Sequence, residues 1–165
     1  MITYSEEALK YISKLSSGGL RDAITLMDKC LAYSDELTVE SVITVLGTVD
    51  YKVMEELTEA IIGHERDRLI EIIEQTHAEG KDLKRFIRDY VDFVLDVLKY
   101  DITKFDYITI PQTEREWLDS LSDSWYESIN RMLSPLIKLV DRVKYDTSPK
   151  TMIEVSLLIL MEDII

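Results

Sequence analysis

The 165-residue chain has one cysteine, three prolines, five glycines and two histidines. A single cysteine excludes an internal disulfide framework and a cysteine-built zinc cage, and Cys30 lies in an apolar helical pattern where a small buried residue fits. Few glycines and prolines mean few chain reversals, so the sequence predicts helices joined by short connections. His64 and His77 sit among glutamates, which reads as exposed helix-end positions in preference to metal or acid–base chemistry. No stretch approaches the roughly 20 apolar residues of a membrane span. The start, Met1 to Glu7, lacks the basic and apolar run of a signal peptide, which points to a cytoplasmic setting without a membrane partner. No phosphate loop, dinucleotide-binding glycine motif or nucleophile elbow is present, so the chain offers no catalytic residue and no metal site.

Positive charge is scarce as well: 19 Lys and Arg stand against 32 Asp and Glu, a net charge of −13. That balance excludes a free-standing nucleic-acid binder, which needs a positive footprint to neutralise phosphates. Divided at Gly47, the first part holds 4 basic and 7 acidic residues and the second 15 and 25, or −3 and −10. The longer, more acidic part suits protein partners.

What the chain does have is helical periodicity throughout, and it reads as all-α with no competing strand pattern. Ser5 caps a first helix with an apolar face of Ala8, Leu9, Ile12 and Leu15, and Gly18-Gly19 separates it from a second helix expected to bury Leu20, Ala23, Ile24, Met27 and Leu31. Thr38 caps a third helix, Val39 to Leu46, which Gly47 ends. Further helices run through Val53 to Ile61, Leu69 to Ile73 and Leu83 to Leu98, the last with an apolar stripe wide enough for two neighbours. Residues Ile102 to Pro111 form an extended stretch, and Thr113 with Glu116 spells a capping box ahead of Trp117, Leu118 and Leu121, which anchor the turn. Ser134-Pro135 fits either a helix start or a kink inside Trp125 to Val143. Ser148-Pro149 opens a final helix, apolar at Met152, Ile153, Val155, Leu157, Leu158, Leu160 and Met161 and buried on more than one side.

The segment Ser16-Ser17-Gly18-Gly19-Leu20-Arg21-Asp22-Ala23 places an arginine in the first turn of a helix. Helix-start N–H groups carry partial positive charge, so a cation there is disfavoured by a few tenths of a kcal/mol unless an anion stands before it. Arg21 therefore reads either as half of an anion site, with phosphate the natural ligand, or as a solvated arginine offset by Asp22. A second basic run, Lys81, Lys84, Arg85 and Arg88, also lies near a helix start, where a partner carboxylate or phosphate competes with pairing to Asp82, Asp89 and Asp92.

Spelling adds to periodicity here. Gly18-Gly19-Leu20-Arg21-Asp22-Ala23-Ile24-Thr25-Leu26-Met27-Asp28 resembles the sensor-2 helix of AAA+ clamp-loader ATPases, in the form found in bacterial DNA polymerase III gamma/tau subunits. Pro149-Lys150-Thr151-Met152-Ile153-Glu154-Val155-Ser156-Leu157-Leu158 is similar to the family's last collar helix, with Lys150 in place of arginine. Val45-Leu46-Gly47-Thr48-Val49-Asp50 resembles the lid-to-collar junction.

The resemblance implies a three-helix AAA+ lid over residues 1–46 and a helical collar for oligomerisation over 47–165, with the ATPase domain outside this sequence. It makes Arg21 the sensor-2 arginine that contacts the terminal phosphates of ATP and sets Leu20 at the nucleotide's edge. ATP, Mg and a structural Zn belong to the ATPase domain on this reading, and the fragment has no cofactor or catalysis of its own. The implied partners are other clamp-loader subunits through the collar, and the sliding clamp and primed DNA through the whole assembly. Lys29 and Lys150 depart from the family and carry no role. Alternatives are an autonomous helical adaptor that binds a protein through residues 50–100, and the same region of another clamp-loader subunit such as delta-prime.

Overall fold

The computed structural model describes residues 3–16, 19–46, 51–105 and 107–164. Among the described residues the chain forms nine α-helices and one pair of two-residue strands, so the architecture is all-α. Strands β1 (Thr3–Tyr4) and β2 (Glu36–Leu37) pair in parallel, Thr3 with Glu36 and Tyr4 with Leu37. Periodicity gave no sign of them, because two residues are too short for side-chain alternation to register.

Helix α1 (Glu6–Leu15) starts at Ser5, whose Oγ accepts the Ala8 N–H at 3.1 Å. It buries Ala8, Tyr11 and Ile12. Helix α3 (Val39–Leu46) starts with a reciprocal cap, in which the Ser41 N–H bonds Thr38 Oγ1 at 3.1 Å and the Thr38 N–H bonds Ser41 Oγ at 3.0 Å. Serine takes the place of the usual acid in that box. Between them, α2 (Leu20–Tyr33) turns Cys30 fully inward and half-buries Ala23, Leu26, Met27 and Leu31. The expectation that Leu20 and Ile24 are buried fails: both are exposed, Leu20 at 76%. The inward face of α2 is centred on residues 23, 27 and 30, which leaves residues 20 and 24 on its flank.

Helices α4 (Tyr51–Ile62), α5 (Arg66–Ala78), α6 (Leu83–Thr103), α7 (Arg115–Ser120), α8 (Asp123–Val143) and α9 (Pro149–Asp163) form the rest. The turn from α4 to α5 takes His64 through a left-handed φ of 56° and closes α4 with the Glu65 N–H on Ala60 O at 2.9 Å. Gly80, at φ 74°, ends the next turn, where a side chain would be strained. Asp82 caps α6 by accepting the Lys84 N–H at 2.9 Å. Helix α9 packs against α4, α5, α6 and α8 at once, which answers to its buried Ile153, Leu157, Leu160 and Met161. Val155, expected in that set, is half-exposed. The buried Tyr90 hydroxyl is satisfied by Thr58 Oγ1 at 2.9 Å.

One local expectation is corrected, and one that was left open is decided. Thr113 does not cap a helix, because Pro111 opens a 3₁₀ turn (Gln112–Glu114) and α7 follows directly from it. Thr113 Oγ1 instead donates to Glu114 Oε1 at 3.0 Å. Pro135 lies inside an unbroken α8, so it is the interior proline of the two possibilities and not a helix start. The stop at Gly47, the junction through Asp50, the boundary between residues 46 and 47, and Ser17 with Gly18 lie outside the described residues.

Candidate functional site

The start of α2 is built from its neighbours' limits. Gly19 occupies the cap position with extended backbone and so brings no side chain to bond the first turn. A Cβ at Gly19 would stand 3.1 Å from Ser16 O and 3.2 Å from Asp22 Oδ2, closer than an ordinary contact. Glycine therefore lets the Asp22 carboxylate fold back over the helix start, where negative charge is favourable. Leu20 and Arg21, the first and second helical residues, are exposed, and among the described residues Arg21 makes no ion pair. Its carbonyl accepts the Thr25 hydroxyl at 2.9 Å, an intrahelical bond that leaves the guanidinium free to meet solvent or a docked anion. The two residues singled out from sequence, Arg21 and Leu20, thus sit side by side on an uncapped and exposed helix start.

The second basic run is absorbed by the protein itself. Lys81 pairs with Glu79 at 2.8 Å, Lys84 donates to Lys144 O at 3.2 Å, and Arg85 lies 3.4 Å from Asp89. Three of the four cations have partners, so this face is not a second anion site. Among the described residues no group of three or more His, Cys, Asp or Glu side chains is arranged to hold a metal ion.

Sequence reasoning missed the polar groups that tie α1 to the larger helical segment. The Tyr11 hydroxyl donates to Tyr51 Oη at 3.0 Å, and Tyr51 donates to Thr109 O at 3.4 Å. Burial, then the neighbouring Tyr11, pushes the Tyr51 phenol far above its ordinary range. Tyr51, Phe93 and Trp117 form a chain of rings with centroids 6.1 and 5.7 Å apart that ends at the surface, where Trp117 Nε1 donates to Glu59 at 2.8 Å. Asp96, buried on α6, holds the segment before the 3₁₀ turn by accepting the Thr109 N–H at 2.6 Å and its hydroxyl at 2.7 Å. Tyr11 was legible as a position in phase with Ala8, Ile12 and Leu15, but its hydroxyl partner was not. A cleft of about 390 Å³ between α1, α4 and α6 is bordered by Lys14, Arg85, Asp89, Asp92 and Lys99. Two of its cations face carboxylates on their own helix, Arg85 with Asp89 and Lys99 with Asp96, so no uncompensated charge gathers there.

Lys52 bridges two enclosed carboxyls, Glu55 at 3.0 Å and Glu114 at 2.8 Å, joining α4 to the turn before α7. Burial dominates at Glu55 and pushes it from 4.5 up to about 7, against the pull of Lys52. At Glu114 burial acts upward too, but hydrogen bonds from Lys52, Glu55 and Thr113 outweigh it and hold the carboxyl below its ordinary value. Of the two carboxyls, Glu55 is the one held up and Glu114 the one held down.

The model of the family described as DNA polymerase III subunits gamma and tau, domain III, matches residues 37–164. The chain is similar to DNA polymerase III subunit tau of Bacillus subtilis (strain 168), 24% identical over 157 residues, which covers 92% of this chain and 27% of that protein. It is also similar to the subunit tau of Salmonella typhimurium (strain LT2), 31% identical over 80 residues, and of Escherichia coli (strain K12), 30% identical over 80 residues. Each of those two matches covers 48% of this chain and 12% of the relative. The chain therefore spans about a quarter of the length of the first relative and about an eighth of the other two.

Proposed function

The chain belongs to the family of DNA polymerase III gamma and tau subunits, and from that premise we propose that it is the lid and collar part of a clamp-loader subunit. The observation that supports the nucleotide-sensing half of this reading is the start of α2 without a side-chain cap, where Arg21, which makes no ion pair among the described residues, stands beside an exposed Leu20. An arginine fork matches phosphate oxygens in geometry and charge. ATP held by an ATPase domain on the N-terminal side would meet Arg21 through its terminal phosphates and Leu20 at its edge. A contact made in the ATP state and lost afterwards gives the two lid positions different energies, so nucleotide state becomes a tilt of α1–α3. Helices α4–α9 then hold neighbouring subunits together so that the tilts act on a sliding clamp and primed DNA. Chemistry on ATP, with its Mg, and the structural Zn belong on this reading to the ATPase domain, and no residue of this chain acts as a catalyst.

The test is ATP turnover by the full-length polypeptide in its assembled complex. Arg21→Ala removes a charge-assisted phosphate contact worth about 1.5–3 kcal/mol, which lowers ATP-dependent turnover by about ten- to a hundredfold while assembly persists. Undiminished turnover in that variant refutes the sensing role.

A further inference from the structure

In the enclosed carboxyl group, Glu55 Oε1 and Glu114 Oε2 are sealed from water, yet neither receives an aligned hydrogen-bond donor. The side chains that carry them are only 5% and 12% exposed, and each has an oxygen within 3.0 Å of Lys52 Nζ. The two carboxyls lie within hydrogen-bonding reach of one another. A buried acceptor without a donor is costly, and one proton shared between the two carboxyls supplies the donor that both lack. One lysine and one proton then balance two carboxylates. The charges acting on Glu55 are Lys52 of its own helix and Glu114 of the turn. Its acidic neighbours on α4 are engaged elsewhere, Glu56 by Arg68 of α5 and Glu59 by the Trp117 indole. The helices packed on α4, which are α5, α8 and α9, bury no charged side chain.

The two carboxyls sit on elements of unequal firmness. Glu55 belongs to α4, which three helices hold in place, whereas Glu114 ends a three-residue turn closed by its own N–H on Pro111 O at 3.1 Å. The residues before that turn are also what α1 rests on. Lys14 Nζ reaches Phe105 O at 3.5 Å, Tyr51, which takes the Tyr11 hydroxyl, donates to Thr109 O, and Tyr11 shares a cleft of about 380 Å³ with Ile110 and Pro111. We propose that Glu55, Lys52 and Glu114 form a proton-operated latch: the shared proton holds the turn on α4, and its loss sets two enclosed carboxylates against one lysine, frees the turn and slackens the seat of α1. Two carboxylates this close resist ionising together, and burial already lifts Glu55 to about 7, so the latch works near neutral pH. The closed group binds its proton more tightly than a freed pair of ordinary carboxyls does, so opening becomes easier as pH rises and levels off above about 7. The latch stands apart from nucleotide sensing; where both hold, it sets how freely α1–α3 tilt.

The experiment is hydrogen exchange, read by mass spectrometry on the full-length polypeptide from pH 5.5 to 8. Each rate is divided by that of Glu55→Gln at the same pH, which cancels the intrinsic pH dependence of exchange and compares the protein with a group that stays neutral. For peptides covering residues 107–115 and 6–15 this ratio grows at least about fivefold over the range and flattens above about pH 7. Glu114→Gln, which leaves no second carboxylate, stays within about twofold of Glu55→Gln at every pH. Growth that survives in Glu114→Gln assigns the effect to the burial of Glu55 alone and overturns the shared proton. Growth over 107–115 without growth over 6–15 shows a turn that moves without α1, and overturns the latch. Exchange of both stretches only as fast as the slowest amides of α6 and α9 shows that whole-chain unfolding alone responds, and overturns it as well. A wild-type ratio that stays within about twofold across the range removes the proposal altogether.

Discussion

The enclosed carboxyl pair makes a prediction whose sign and size follow from the geometry. Glu55 is only 4% exposed and is held up at about 7 against an ordinary 4.5, so the folded state keeps a proton that the unfolded chain releases. A group shifted this way contributes stability that is complete below about pH 4.5 and is lost as pH rises through about 7. Glu114, held low, contributes in the opposite sense, with stability present above its ordinary value and lost as pH falls further. Between pH 5 and 7.5 the Glu55 contribution governs, and the protein loses stability as pH rises. A shift from 4.5 to about 7 corresponds to at most about 3 kcal/mol, and screening at the edge of the pair brings the expected loss to about 1–2 kcal/mol. Glu55→Gln keeps a neutral hydrogen-bonding amide in place of the protonated acid, so it removes the Glu55 part of the slope, leaving that of Asp89 and Asp92, and leaves the variant more stable than wild type at pH 8. Urea unfolding at fixed ionic strength from pH 5 to 8 measures both curves. Parallel curves for wild type and Glu55→Gln would refute the assignment of the proton to this pair.

Other substitutions test the links between α1 and the larger segment. Tyr11→Phe removes a buried hydroxyl pairing and costs about 0.5–1.5 kcal/mol in urea unfolding. A double-mutant cycle with Tyr51→Phe returns a coupling energy of at least about 0.5 kcal/mol, and full additivity contradicts the direct bond. Asp96→Ala leaves both Thr109 donors without their buried acceptor, costs about 2–3 kcal/mol, and makes the chain near Tyr107 cleave faster in limited proteolysis. Unchanged cleavage there would contradict the pinning role of Asp96.

Helix order and most of the core were legible because long amphipathic segments report their inward face through spacing alone. Ile12, Leu57, Ile73, Ile87 and Leu157 lie where periodicity put them, and each is fully buried. The three residues expected inside but found exposed share one origin: spacing specifies a stripe and not the breadth of what covers it. Leu20, Ile24 and Val155 belong to apolar patterns on helices whose neighbours reach only part of the stripe. The Thr113 box failed for a different reason, since Pro111 opens a 3₁₀ turn that already contains Thr113, so threonine sits inside a turn and not at a helix start. The Lys52–Glu114 ion pair and the Tyr11–Tyr51 bond join residues 40 or more positions apart on different elements, contacts that no local pattern encodes. At the start of α2 the residues themselves were legible, and the structure added that Gly19 brings no side-chain cap and that Arg21 makes no ion pair among the described residues.

Nucleotide affinity is the most direct test of the claim that the α2 start reads ATP. In the full-length polypeptide, equilibrium binding of a slowly hydrolysed ATP analogue should weaken about ten- to a hundredfold on Arg21→Ala. Binding of ADP, which lacks the terminal phosphate, should change by less than about threefold. Equal weakening of both ligands, or no weakening of either, would contradict a guanidinium that recognises the terminal phosphate.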